Sequence, residues 1–388
     1  MRIIQVVPRF PPAIGGMEKH AYEISLELVK RGHQVAVVTS NEMDECGRGV
    51  SEQRVNGIEV YRYPLFLPKL FREFWLMPRM IKMSENLDGD IIHAHGYRCL
   101  CSCVAAYVSK LKEIPMVLTP HGIFPPRDRL NAIAKWIFDR SLGNSLMESV
   151  DKVIALTESN KSLLLKTGAR ENKIVIIENG VHVDKYENLS NSEEVKKKYG
   201  SSGPVLLYVG RIDWRRTSNL GKIIGALPSI TQKFCGAKLF IVGPDYAGYS
   251  VNLLSSAQKF GVEDSVVITG SVTEEQLLVY YSMADIFIIP SVYEGLSLSM
   301  LEAMASKVPI VALSPEGTGG VLTHGENAIL LKSGDPDEIF NSISLLLSNP
   351  EVRERVRQNA FDLILRRYTW EAVVDKLESL YEDVLKNN

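Results

Sequence analysis

Residues 286–305 read Ile286-Phe287-Ile288-Ile289-Pro290-Ser291-Val292-Tyr293-Glu294-Gly295-Leu296-Ser297-Leu298-Ser299-Met300-Leu301-Glu302-Ala303-Met304-Ala305. The opening apolar run, rich in β-branched residues and ended by Pro290, reads as a strand covered on both faces. After Gly295 come Leu, Met, Glu and Ala, all strong helix formers. A strand, a glycine-containing turn and a helix place backbone N–H groups and a positive dipole end at the turn, which suits an anion such as a diphosphate. Two carboxylates bracket that turn. Glu294 precedes the helix and Glu302 lies inside it; eight residues at about 1.5 Å each put them on the order of 12 Å apart. That is too far for one acid/base pair, yet suited to gripping hydroxyls at two ends of an extended ligand.

The same alternation runs outward from this stretch. Val205–Val209, Lys238–Val242, Val266–Thr269, Ile310–Ala312 and Ala328–Leu331 read as further strands of the second half, with helical stretches between them. In the first half the strands are Ile3–Val7, Gln34–Thr39, Ile58–Tyr61, Ile91–His93, Met116–Thr119, Val153–Leu156 and Ile174–Ile177. Met17, Ala21, Ile24 and Leu28 recur at helical steps, with Gly32 as the C-terminal stop. Such alternation is the signature of α/β architecture with parallel sheets. Between the halves, residues 186–203 carry Ser190-Asn191-Ser192 and Gly200-Ser201-Ser202-Gly203 around a short charged helix, the composition of a linker. The expected organisation is therefore an N-terminal domain, 1–185, a hinge, 186–203, a second domain, 204–368, and a closing amphipathic helix, 369–388, that packs on either domain. Two doubly wound domains facing each other form a cleft, and ligands of open α/β sheets bind beyond the carboxyl ends of the strands.

Composition bounds the function. The 388 residues hold 44 Lys and Arg against 46 Asp and Glu, a net charge of -2, which argues against a dedicated nucleic-acid binder. The charge is uneven: 25 basic and 21 acidic residues in 1–185 make +4, and 19 and 25 in 186–388 make -6. The start, Met1-Arg2-Ile3-Ile4-Gln5-Val6-Val7-Pro8, reads as a first strand rather than a signal peptide. No apolar stretch approaches the roughly 20 residues that span a bilayer; a cytoplasmic protein is expected. Five cysteines make a disulfide framework unfitting. Cys99, Cys101 and Cys103, just after His93 and His95, are spaced by two, unlike a zinc knuckle, and read as small apolar residues of a buried helix.

The segment from Glu294 to Glu302 resembles the glutamate, seven residues, glutamate motif of the family 4 glycosyltransferases, retaining enzymes of the GT-B fold that use nucleotide-sugar donors. The resemblance covers almost the whole chain. Tyr208-Val209-Gly210-Arg211-Ile212-Asp213-Trp214-Arg215-Arg216 is similar to the family's strand ending in Gly-Arg, with Arg216 standing where the family has Lys and Thr217 where a Gly is common. In the family these two cations hold the donor diphosphate; Arg does so bidentately where Lys acts as a point charge. Pro8-Arg9-Phe10-Pro11-Pro12-Ala13-Ile14-Gly15-Gly16-Met17-Glu18 resembles the Gly-Gly loop, whose glycines permit positive φ and close backbone approach. Asp90-Ile91-Ile92-His93-Ala94-His95-Gly96 and Thr119-Pro120-His121-Gly122 are similar to two strand-end segments, His121 aligning with the histidine that faces the donor sugar. Glu178-Asn179-Gly180-Val181 resembles a structural turn ahead of the linker, and Pro315-Glu316-Gly317-Thr318-Gly319-Gly320-Val321 departs from the family wording.

What the resemblance implies is a hexosyltransferase that moves a sugar from a nucleoside-diphosphate donor to a glycan, lipid-linked or small-molecule acceptor with retention. Negative charge builds on the departing diphosphate in an oxocarbenium-like transition state. Arg211, Arg216 and the helix start would stabilise it. Glu294 would orient sugar hydroxyls, Glu302 the ribose and His121 a donor hydroxyl. Gly15, Gly16, Gly210, Gly295, Leu296, Ser297 and Leu298 complete the implied donor site, with no covalent nucleophile, metal or cofactor. Asp88-Gly89-Asp90 and Asp335-Pro336-Asp337 are not assigned to a metal. Two other readings are a nucleotide-sugar epimerase or phosphorylase on the same fold and a silent sugar-nucleotide-binding partner subunit. Basic-aromatic stretches at Leu65–Met80 and Arg127–Arg140 fit a peripheral contact with an anionic membrane, although ordinary packing with snorkelling cations is the commoner explanation of such stretches.

Overall fold

A computed structural model describes residues 1–41, 51–65, 77–82, 88–122, 129–187, 193–245, 248–290, 296–313, 318 and 320–387, excepting the side chains of residues 78, 82, 187 and 215–218. The chain forms two compact units, one made of Met1–Gly180 with Trp370–Asn388, the other of Val181–Thr369.

The first unit is built on eight strands: β1 Arg2–Val6, β2 Gln34–Ser40, β3 Ser51–Val55, β4 Ile58–Tyr63, β5 Ile91–His95, β6 Met116–Thr119, β7 Lys152–Ala155 and β8 Ile174–Ile176. Their order in the sheet is β3-β4-β2-β1-β5-β6-β7-β8. All neighbours are parallel except β3 and β4. β3 carries Glu52, Gln53 and Arg54 at the sheet edge, with no buried residue, so it lacks the apolar run that marks the other strands. The helices are α1 Gly16–Lys30, α2 Leu100–Lys112, α3 Arg129–Phe138, α4 Asn144–Ser149 and α5 Glu158–Lys166. In α1 the expected stripe is fully buried at Ala21, Ile24 and Leu28, and Gly32 stands beyond its end at φ 86°.

The two faces of this sheet differ chemically. Register pairs Gln5 with His93 and His95 with Thr119. Because side chains alternate along strands and align across them, these four share one face. The opposite face presents Ile4, Val6, Ile92, Ala94, Met116 and Leu118 to a core that includes Cys101 and Ala105 of α2. Cys99 and Cys101 are free and buried, as expected of small core residues, and burial raises the Cys103 thiol to about 12, away from the thiolate a metal needs.

The second unit carries β9 Val205–Val209, β10 Lys238–Val242, β11 Val266–Gly270, β12 Ile286–Ile289, β13 Ile310–Ala312 and β14 Ile329–Leu330. They lie in the order β11-β10-β9-β12-β13-β14, all parallel. Its helices are α6 Asp184–Glu187, α7 Glu193–Lys198, α8 Trp214–Lys233, α9 Ser250–Phe260, α10 Glu274–Met283, α11 Leu298–Ala305, α12 Pro336–Ser348 and α13 Pro350–Arg367. Asp335 caps α12, accepting from the Glu338 N–H at 2.8 Å, with Pro336 just inside the helix. Asp335-Pro336-Asp337 is thus helix-start chemistry. Asp90 likewise serves the fold, accepting from the Arg2 N–H at 2.7 Å, and Asp88 pairs with Lys112 at 2.9 Å.

The last helix, α14 Trp370–Lys386, belongs to the first unit. It buries Trp370, Val373, Val374, Leu377, Leu380, Tyr381 and Val384. Trp370 lies on Gly180, where a Cβ would come within 2.7 Å of the indole. Arg31, just past α1, donates to Asp375 at 2.6 Å and to the Glu371 carbonyl at 2.9 Å.

Each sheet reverses its strand order once. In the first, β1 leads outward to β2, and β5 then lies on the other side of β1; in the second, β9 leads to β10, and β12 returns beside β9. The carboxyl ends of β1, β5, β9 and β12 are therefore the topological switch points at which open α/β sheets bind ligands.

Candidate donor-site elements in each unit

In the first unit, the described residues gather four imidazoles on the polar face of the sheet. His93 and His95 come from β5, His20 from α1, and His121 follows β6. His93 lies 2.6 Å from the Tyr381 hydroxyl and 2.7 Å from Thr119 Oγ1. His95 Nε2 lies 2.7 Å from the Gln5 amide oxygen and its Nδ1 lies 2.8 Å from His121 Nε2. His20 Nδ1 lies 2.7 Å from Asn179 Oδ1. An amide oxygen only accepts, so with the amides placed this way Nε2 of His95 and Nδ1 of His20 carry the protons. Burial is the largest influence on all four and disfavours the cation: His20 falls to about 4 despite the Asn179 hydrogen bond, His93 to about 3, and His95 and His121 lie well below the ordinary value of 6.5. The cluster is neutral at pH 7.

His121 is the half-buried member and has φ 60°, the left-handed region. Such a conformation in a non-glycine residue costs on the order of 1–2 kcal/mol and recurs at functional sites. His121 and Gly122 border a shallow hollow with Pro120, Leu156, Asn160 and Leu163.

Gly15 is extended, at φ 170°, and Gly16 is the first residue of α1; of the two freedoms glycine offers, the loop uses close approach and not a positive φ. A Cβ on Gly15 would fall 2.2 Å from Glu18 Oε2, and Glu18 is held 2.6 Å from Arg9. The glycine accommodates that ion pair.

In the second unit, Gly210 and Arg211 leave the end of β9. The Gly210 N–H donates to the Val242 carbonyl at 2.9 Å, that of Ile212 to Pro244 at 3.0 Å, and the Tyr208 hydroxyl to the Arg211 carbonyl at 2.9 Å. Three hydrogen bonds thus fix the backbone on which Arg211, half-buried, projects. Arg215 and Arg216 lie in the first turn of α8; their side chains are outside the described residues. So are Glu294 and Gly295, and residues 314–317 and 319 of the later glycine segment. What flanks the first of these gaps is described. The Asn219 amide of α8 donates to the Pro290 carbonyl at 2.6 Å, anchoring the chain as it leaves β12. On the far side Leu296 is buried, Ser297 caps α11 by accepting from the Met300 N–H at 3.4 Å, and Leu298 opens the helix.

Glu302 is only 4% exposed, which rules out a solvated helix face. Its Oε2 accepts from the Tyr281 hydroxyl at 2.7 Å, and that hydroxyl also reaches the Ser299 carbonyl at 3.2 Å. Burial, then the adjacent carboxylate, raises the Tyr281 phenol well above 10, so it stays a donor. A larger hollow of about 830 Å³, lined by Asp285, Lys307, Pro350 and Arg353 among others, lies at the residue preceding β12, the amino end of the strand. It is on the wrong side of the sheet for a switch-point ligand.

His20, Gln5, Asn219 and Tyr281 were not singled out by sequence, and Asn179 was read only as part of a structural turn. One signal was visible: Gln5 and the two histidines of Ile91-Ile92-His93-Ala94-His95 recur at every second position of otherwise apolar strands, the mark of a polar sheet face.

Comparison with known proteins bears on the family and the fold. Residues 14–185 match the family described as Glycosyltransferase Family 4, and residues 190–363 match Glycosyl transferases group 1. An uncharacterized glycosyltransferase of Methanocaldococcus jannaschii is 27% identical over 98% of both chains. N-acetyl-alpha-D-glucosaminyl L-malate synthase of Bacillus anthracis is 24% identical over 97% of this chain and 96% of its own. A crystal structure of Anabaena HepE in complex with UDP-glucose superposes with a TM-score of 0.78 at 18% identity, covering 99% of this chain and 100% of that one. Two adjoining family matches, one per sheet, and a shared fold along the whole length place this chain among the family 4 glycosyltransferases of the GT-B fold.

Proposed function

We propose that this glycosyltransferase moves a hexosyl group from a nucleoside-diphosphate sugar to a glycan, lipid-linked or small-molecule acceptor, with retention of anomeric configuration. The observation that carries the donor assignment is the neighbourhood of β9 and β12: adjacent strands that end in Gly210-Arg211 and in the turn before α11. A guanidinium and a helix start at one switch point are the two groups a diphosphate asks for. A relative in fold, HepE, has been crystallised with UDP-glucose.

In this reading Arg211, with Arg216, takes the diphosphate charge as the glycosidic bond lengthens and the sugar acquires oxocarbenium character. The leaving phosphate receives the acceptor proton on the face it vacates. Glu302, aimed by Tyr281, accepts from ribose hydroxyls; Glu294 and His121 orient the sugar. Transfer needs no metal and no cofactor. A lipid-borne acceptor is supported by α3 and the π-helical stretch Asp139–Gly143 that continues it, where Leu130, Ile133, Trp136, Ile137 and Leu142 are exposed, Leu130 by 80%. Arg140 stacks 4.9 Å over the Trp136 ring. No described helix is long and apolar enough to cross a membrane, so contact would be peripheral; sedimentation with anionic vesicles should weaken in Trp136→Ala and Ile133→Ser, and equal binding by both variants removes this surface from the reading.

Purified protein incubated with a panel of nucleotide sugars should hydrolyse its donor slowly and transfer when an acceptor extract is added. Glu294→Ala should abolish both. Donor binding without turnover, even with acceptors present, would leave only the silent binding subunit.

A further inference from the structure

Three of the four clustered imidazoles form an arrangement that sugar transfer does not call for. One ring nitrogen from each of His20, His95 and His121 lies within 4.8 Å of the other two. Their ring centroids stand 4.7 Å (His20 to His121), 5.1 Å (His95 to His121) and 5.6 Å (His20 to His95) apart. Three imidazoles around a tetrahedral ion, at about 2.0–2.1 Å from metal to nitrogen, would have nitrogens roughly 3.3 Å apart and ring centres roughly 5 Å apart. The rings already have that spacing.

We propose that His20, His95 and His121 constitute a binding site for a divalent transition-metal ion such as Zn²⁺, with three protein ligands and a fourth position open. The outer nitrogens support it. His20 gives its Nδ1–H to Asn179 Oδ1 and His95 its Nε2–H to Gln5 Oε1, leaving Nε2 of His20 and Nδ1 of His95 as lone pairs. Carbonyl-type acceptors on the remote N–H are what orient ligating histidines in metal sites. Both acceptors are themselves buried, Gln5 in β1 and Asn179 before Gly180, so the ligands sit on rigid elements. His121 Nε2 now carries the proton shared with His95 Nδ1 at 2.8 Å. An ion entering between them requires that proton to move to His121 Nδ1, and the ring remains neutral. Imidazole nitrogen selects Zn²⁺, Cu²⁺, Ni²⁺ and Co²⁺ over Mg²⁺ and Ca²⁺.

Binding would take the lone pair and the mobility of His121. The consequence for catalysis rests on the donor-orienting role proposed above for His121; binding itself does not. Metal would then be an inhibitor of transfer, relieved by a chelator.

Chelator-treated protein should take up one equivalent of Co²⁺ and develop the intense visible bands of a tetrahedral ion, displaced by Zn²⁺. His20→Asn and His121→Ala should lose the bands while circular dichroism shows each variant folded, and His324→Gln, at an exposed histidine of the second unit, should retain them. His121→Ala, at the half-buried rim, keeps the test interpretable if His20→Asn fails to fold. Absence of stoichiometric uptake, a weak octahedral spectrum indifferent to these variants, or bands lost in Cys103→Ser instead would overturn the site. None of those outcomes bears on donor hydrolysis, and Zn²⁺ uptake without inhibition would refute the role of His121 while leaving the site intact.

Discussion

The two units reach their switch points by opposite means. In the first, chemistry is carried by buried neutral side chains: Gln5, His93, His95 and Thr119 on one sheet face, with His20, Asn179 and Tyr381 closing over them. In the second, Arg211 and Glu302 stand on closely packed backbone: strand ends that meet at Gly210 and Gly243, and a capped helix start at Ser297. Side-chain networks of this kind are specific but must be desolvated and kept uncharged. Backbone sites tolerate changes of charge but not of shape. The same chain therefore has one half that acid should break and one that a methyl group should break.

Acid is expected to have the larger effect. A histidine free in the unfolded chain titrates near 6.5, whereas His20 in the folded unit titrates at about 4 and His93 at about 3. Between those values the unfolded state binds more protons than the folded one, so stability rises with pH and is lost on acidification from about 6.5 downward, with nothing further lost below the folded values. For His20 alone this is on the order of 3 kcal/mol. The depressed carboxylate of the second unit behaves differently. Burial pushes the Glu338 carboxyl up, but the N–H groups of Lys332, Ser333 and Gly334 and the Ser333 hydroxyl together outweigh it and hold the group at about 2, so its stability is present above the unfolded value of 4.5 and is lost as pH falls from there through about 2. Hydrogen exchange of chelator-treated protein at pH 7 and pH 5, corrected for intrinsic rates, should show β1, β5 and β6 losing protection before β9, β10 and β12. Equal loss in both units would show that the imidazoles are not held neutral by burial.

Much of this contrast was legible beforehand, but unevenly. Parallel strands announced themselves through apolar runs such as Val35 to Val38 and Leu206 to Tyr208, because a strand covered on both faces has little choice of residue. β3 escaped because an edge strand with Glu52, Gln53 and Arg54 reads as a loop. Glycine at position 15 was readable as permitting close approach, and it makes room for the Glu18 carboxylate beside Arg9. His121 could be picked out as a histidine after a strand and before a glycine. Its ring neighbour His20 could not, since that residue is 101 positions away in sequence and is held by Asn179, a further 159 positions along the chain, and only the folded first unit brings them together.

The smaller effect tests the backbone half. Gly243 follows β10 at φ 138°, and a Cβ there would lie 2.2 Å from the Gly210 carbonyl oxygen and 2.8 Å from its carbon. Neither atom belongs to a flexible side chain, so the strand end bearing Arg211 would have to move. Overpacking against backbone together with an unfavourable φ costs about 2–3 kcal/mol. Gly243→Ala should therefore lower the denaturation midpoint of the second unit and reduce kcat/KM for the donor at least tenfold, since a guanidinium displaced by an ångström loses most of its catalytic hold on a diphosphate. The control lies in the same unit: Gly221, in the middle of α8, would present a Cβ to open space, and Gly221→Ala should stabilise by up to about 1 kcal/mol through helix propensity. If Gly243→Ala is as harmless as Gly221→Ala, the close approach of Gly210 and Gly243 does not position Arg211.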